Sequence, residues 1–190
     1  MKLHHIAITT IAAMAVVFSI SWVLTPEQQY QAMPPAEQVV DKTYPVPIEL
    51  QPIVDRLGIT DRTVEIKTDF PCAPTARACF DTAIHYPLTN LNNPILQQNA
   101  TMAHEYMHYI YDKQTVEEQN RIGGLAQTLY NQSPLFQRRM QWYVDKGTLN
   151  QDELISVACT EVDDSVLPAE LYQYCAKYVP NRLALPSSIR

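Results

Sequence analysis

The sequence has no surplus of basic charge: 14 Lys and Arg stand against 20 Asp and Glu, a net charge of −6. A nucleic-acid partner would need a cationic face, so that class is excluded. Glycine is scarce, with 4 in the whole chain, and none of them lies in a phosphate-loop context. Gly58 and Gly147 read as helix stops, and Gly123-Gly124 interrupts a helical stretch as a kink or a close contact. No internal repeat or low-complexity tract is present, and nothing in the composition marks disorder. The 4 cysteines lack the close C-x₂₋₄-C spacing of a cysteine zinc site.

Long apolar runs are confined to the N-terminus. Residues 6–24, IAITTIAAMAVVFSISWVL, carry no charge. As a helix they reach roughly 28 Å, close to the ~30 Å hydrocarbon core of a bilayer. That length favours a membrane anchor over a signal peptide, although cleavage after Ser21 would release a secreted chain. Lys2 precedes the run and Glu27 follows it, so the positive-inside tendency places the rest outside the cytoplasm. In that oxidising setting an even cysteine count means disulfides. The expected pairs are Cys72 with Cys79, across a short loop, and Cys159 with Cys175, between consecutive helices.

The organisation expected is an anchor or signal segment over 1–25, a proline-rich spacer over 26–47, and one globular domain over 48–190. Ile48 to Leu57 is apolar at helical spacing and stops at Gly58. Residues 63–68 and 78–86 alternate as two strands joined through the cysteine loop, with Phe80, Thr82, Ile84 and Tyr86 on one side of the second. Asn93-Pro94 then caps a helix running to about 112, whose buried stripe is Leu96, Ala103, Met107 and Ile110. Thr115 to Glu118 forms a capping box, Ser133-Pro134 starts a further helix, and the second half is helical. The fold class expected is α+β: a short strand layer followed by a mostly helical bundle.

Inside the helix over 94–112 lies His104-Glu105-Tyr106-Met107-His108, an H-E-x-x-H pattern. Residues four apart on a helix share a face, so both imidazoles can grip one metal ion. Zinc held by two imidazoles and one further ligand keeps a position for water, and an adjacent glutamate can take that water's proton. This is hydrolytic chemistry. A solvated polar stripe on a surface helix is the bland alternative. The third ligand must lie downstream. Tyr111 and Gln114 occupy the positions where H-E-x-x-H-x-x-G-x-x-H would need glycine and histidine, so a third histidine is excluded. Two glutamates remain, Glu153 and Glu161, about 80° and ~12 Å apart on one helix, so only one can reach the ion.

Around these residues the chain resembles the gluzincin zinc peptidases, and within them the minigluzincins and the Mlc titration factor peptidases. The resemblance spans about residues 94–180 and rests on the H-E-x-x-H, on Glu153-Leu-Ile-Ser-Val157-Ala158, and on Pro168-Ala-Glu-Leu-Tyr172. It implies a zincin-like domain in which zinc is held by His104, His108 and Glu153. Two departures concern groups around the ligands: the acid expected seven positions after the ligand glutamate is shifted by one to Glu161, and Val157 stands where related enzymes have aspartate. Such peptidases also steady the oxyanion with a tyrosine or histidine; Tyr143 is the preferred candidate, with Tyr172 and His85 as alternatives. The strand before the motif helix would pair with extended substrate.

The sequence thus predicts a membrane-tethered, monomeric, extracytoplasmic zinc peptidase acting on peptide or protein substrate, with Glu105 as general base. The rival is an exported, non-catalytic binding module with structural zinc or none.

Overall fold

A computed structural model describes residues 43–74 and 76–186. The expected anchor and most of the spacer lie outside the described residues. Among those described, no helix is long and apolar enough to cross a membrane. The end of the expected spacer belongs to the domain: Tyr44 N donates to Arg62 O at 2.7 Å, and Val46 packs on the core.

Helix α1 is Gln51–Leu57, three residues shorter at its start than expected. Pro52 lacks an N–H and is tolerated only in a first turn, so the helix begins just before it and leaves Ile48 exposed. Gly58 ends it at φ 71°, a left-handed conformation that a Cβ would strain. Ile53, Val54 and Leu57 turn inward.

The strand layer is smaller than its alternation promised. It consists of β1 (Ile66–Lys67), β2 (Cys79–Phe80) and β3 (Ile84–His85), in the order β1-β3-β2. β1 and β3 are parallel, with Ile66 opposite Ile84; β2 and β3 are antiparallel, with Cys79 opposite His85. The single strand expected over 78–86 is therefore a hairpin. Asp81 breaks it, its carboxylate accepting the N–H groups of Thr82 and Ala83. Those donors, from Ala83 and Thr82, hold the Asp81 carboxyl down at about 2. The cysteine loop closes as expected through Cys72–Cys79.

A 3-10 turn at Leu88–Asn92 leads into α2, Ile95–Asp112. The cap differs from expectation: Pro94 itself is the N-cap, with ψ 143°, and Asn93 donates to Asn90 instead. Gln98 secures this entry from inside, donating to Leu91 O at 2.9 Å and Asn93 O at 2.7 Å. Leu96 is not part of the buried stripe: Ile95 and Leu96 are both more than half exposed, because the first turn extends past the core. Met102, Ala103, Met107 and Ile110 are buried as one face.

The remaining helices are α3 (Val116–Gln132), α4 (Pro134–Lys146), α5 (Gln151–Glu161) and α6 (Ala169–Tyr178). α3 and α4 start on the capping residues read from the sequence, and α5 starts on Asn150 in the same way. Thr115 accepts from Glu118 N at 3.2 Å, Ser133 from Phe136 N at 3.2 Å and Asn150 from Glu153 N at 2.8 Å. α3 runs through Gly123-Gly124, so there is no break. Gly123 is instead a close contact, since a Cβ there would lie 2.4 Å from the Gln151 amide. That lets α3 approach the start of α5. α2 and α5 form the most extensive helix pair, and Cys159–Cys175 ties α5 to α6. The result is a mixed α+β fold of six helices and one three-stranded sheet among the described residues.

Candidate metal centre

The α2–α5 pairing brings the motif to its third partner. His104 and His108 stand one turn apart on α2, with ring centroids 4.7 Å apart and planes at 83°. Their Nε2 atoms approach to 3.1 Å. Glu153, in the first turn of α5, lies with Oε2 at 3.4 Å from His104 Nε2 and 3.8 Å from His108 Nε2. Tetrahedral coordination with bonds of about 2.0–2.1 Å would set donor atoms about 3.4 Å apart. These three residues form a group that could hold a metal ion.

A buried polar atom provides a second test of that fit. Glu153 Oε2 is buried and has no aligned hydrogen-bond donor, although two imidazole nitrogens lie within 3.8 Å. A carboxylate oxygen in that position needs a positive partner, which a cation between the three side chains supplies. Burial pushes the Glu153 carboxyl up, but His104, His108 and the neighbouring Tyr143 hydroxyl outweigh it and hold the group ionised. The capping-box spacing of Asn150 to Glu153 does not compete with this role. Asn150 caps the backbone N–H of Glu153 and leaves its side chain to point at the histidines.

His108 is held from behind by two residues that sequence reasoning passed over. Its Nδ1 lies 2.8 Å from Asp152 Oδ1 and 3.3 Å from Ser156 Oγ. That buried Asp152 oxygen has the His108 imidazole at 2.8 Å but, like Glu153 Oε2, no aligned donor. A proton on Nδ1, shared with Asp152, leaves the Nε2 lone pair facing Glu153 and His104, the tautomer a metal requires. Burial alone would pull the His108 imidazolium down; the Asp152 hydrogen bond and the charges of Asp152, Glu153 and Glu105 raise it above the ordinary value. The signal was available, because Asp152 and Ser156 are four apart and share a helix face.

Glu105 lies beside the group, 7 % exposed, on the floor of a cleft of about 680 Å³. Burial pushes its carboxyl up, and the two histidines offset only part of that. Tyr143 of α4 lines the same cleft, half-buried. Burial and the charge of Glu153 raise its hydroxyl well above the ordinary value, so it stays protonated as a donor. The alternatives to Tyr143 lie elsewhere. His85 is buried in β3, with Nδ1 2.9 Å from Asp69 and Nε2 3.2 Å from Asp81, pinning the cysteine loop rather than lining the cleft. Tyr172 is on the exposed side of α6.

Glu161 does not join the metal group. One α-helix cannot aim both glutamates at one point, and Glu161 instead takes Arg139 in a two-pronged pair on the cleft wall. The opposite wall is the cysteine loop and β2, residues 76–80. Both expected disulfides are formed, which points to an oxidising, extracytoplasmic compartment. Comparison with protein-family models, curated proteins and solved structures finds no match to this chain.

Proposed function

We propose that this chain is a zinc-dependent peptidase of the gluzincin type, similar in plan to the minigluzincins. The observation that carries the reading is the convergence of His104, His108 and Glu153 beside a buried Glu105 in an open cleft. Two imidazoles and one carboxylate leave a coordination position free, as catalytic zinc sites do and structural ones do not. A buried glutamate that is not a ligand has no use in a purely structural site.

When bound, zinc supplies Lewis acidity, polarising the scissile carbonyl and lowering the pKa of the attacking water. Glu105 accepts the water's proton and passes it to the leaving amine; its raised pKa suits both transfers. Tyr143, kept protonated, donates to the carbonyl oxygen as negative charge builds there. Asp152 and Ser156 hold the His108 ring at the angle the ion needs. The substrate is a peptide or an exposed protein segment. Residues 6–24 tether the domain outside the cytoplasm, and it works as a monomer.

The test is metal content and cleavage of unfolded casein by the full chain. Wild type should bind about one zinc and cleave. Glu105→Gln should keep the zinc and lose roughly a thousandfold in rate, and His104→Ala should lose both. Wild type without stoichiometric zinc sinks the reading. Zinc without cleavage would instead make this chain a binding module.

A further inference from the structure

The cleft continues past the metal group along α2, where Gln97, Thr101, His104 and His108 line one face. Gln97 precedes His104 by seven positions, which places it about 10 Å along the helix from the metal end. Against Gln97 lies Arg77, on the loop that Cys72–Cys79 closes. Its backbone is fixed, because the buried Asn90 side chain donates to Arg77 O at 2.5 Å. Its guanidinium is exposed and meets a neutral partner. With the Gln97 amide oxygen turned toward the loop, Arg77 donates to it from Nη1, with Nη2 at 3.1 Å and Nε at 3.3 Å.

The charges of the cleft are unevenly spread. Its other guanidinium, Arg139, is already matched by Glu161. The Arg77 guanidinium sits on the neutral Gln97 amide rather than on a carboxylate. Three acids, Glu105, Asp152 and Glu153, crowd the metal end. Between the two ends Ala76, Ala78 and Ala100 leave room for a chain to lie. An extended peptide advances about 3.3 Å per residue, so about three residues separate the reacting bond from Arg77.

Resting on the peptidase reading above, we infer that Arg77 selects substrates carrying a carboxylate two to four residues from the scissile bond. The planar guanidinium takes such a group in a two-pronged bond by turning from the Gln97 amide, exchanging a neutral acceptor for a charged one. A lysine at the same substrate position meets a like charge. Both an acidic side chain and a free C-terminus supply this chemistry.

The experiment uses the zinc-loaded full chain and acetylated, amidated short peptides in which one Glu, Gln or Lys is moved along an otherwise neutral sequence. A second arm replaces the C-terminal amide by the free acid. Specificity constants are read from product masses. Glu should be preferred over Lys by about tenfold at one position two to four residues from the cut, less at about 0.5 M salt. Arg77→Gln should erase the preference and Arg77→Glu should invert it. A response only to the free acid makes the C-terminus the anion recognised; a response to internal Glu makes it a side chain. Arg77→Glu retaining the wild-type ranking overturns the inference and leaves the peptidase reading standing. If wild type cleaves neither casein nor any of the peptides, the peptidase reading fails. Peptide binding to zinc-loaded Glu105→Gln, followed by Trp142 fluorescence, then decides on Arg77: equal affinity for Glu and Lys peptides overturns it.

Discussion

On one side of the cleft, His104, His108 and Glu153 project from helices whose other faces fill the core with Met102, Met107, Leu154 and Val157. On the other side, residues 76–80 belong to a loop and a two-residue strand. Helix packing places the candidate metal ligands, because a ring on a buried helix inherits the position of everything beneath it. The loop wall cannot work that way. Its strands are too short to hold themselves and depend on pins: the Cys72–Cys79 bond, His85 between Asp69 and Asp81, and Asn90 on Arg77 O. Metal binding should therefore answer to core packing, and peptide handling to the pins.

The largest effect that tests this division comes from Met107, fully buried between the two histidines in sequence. Met107→Ala should lower stability by about 2–5 kcal/mol and weaken zinc affinity with it, measured by denaturation with and without zinc. Next, replacing Cys72 and Cys79 together by serine should cost about 2.5 kcal/mol on loop-entropy grounds. It should raise KM for peptides while leaving zinc stoichiometry unchanged; loss of zinc would erase the distinction between the walls. The smallest effect belongs to Asp152. Asp152→Asn should weaken zinc affinity about 10–100-fold, or roughly 1.4–2.7 kcal/mol, with the fold intact. An unchanged affinity would show that helix packing alone orients His108.

Local chemistry was legible wherever a residue acts on its own neighbours. Thr115, Ser133 and Asn150 cap the helices that follow them, Gly58 and Gly147 end theirs, and both disulfides join the cysteines expected. The strand layer was less legible. Alternation from Phe80 to Tyr86 read as one strand, but Asp81 offers the backbone a tighter turn, and an acceptor inside an alternating run outweighs its periodicity. Pro94 shifted the α2 cap by one residue for a similar local reason, since Gln98 satisfies the carbonyls before it.

At the site, the H-E-x-x-H and its spacing already placed two imidazoles on one helix face and put Glu105 next to them, because that geometry is internal to a helix. Glu153 was separated from Glu161 only by resemblance. In the structure the choice follows from how α5 lies along α2: its first turn meets the histidines, and its last turn meets Arg139. Tyr143 is preferred in sequence to Tyr172 and His85 only for its place ahead of Glu153, and of the three only Tyr143 lines the cleft. Arg77 carried no mark in the sequence at all, and Asp152 only its four-residue spacing to Ser156. Periodicity, caps and motif spacing are set by contacts within a few residues, and the sequence alone determined those. The candidate third ligand, the support behind His108 and the polarity of the cleft depend on segments some fifty residues apart meeting at angles that only core packing decides.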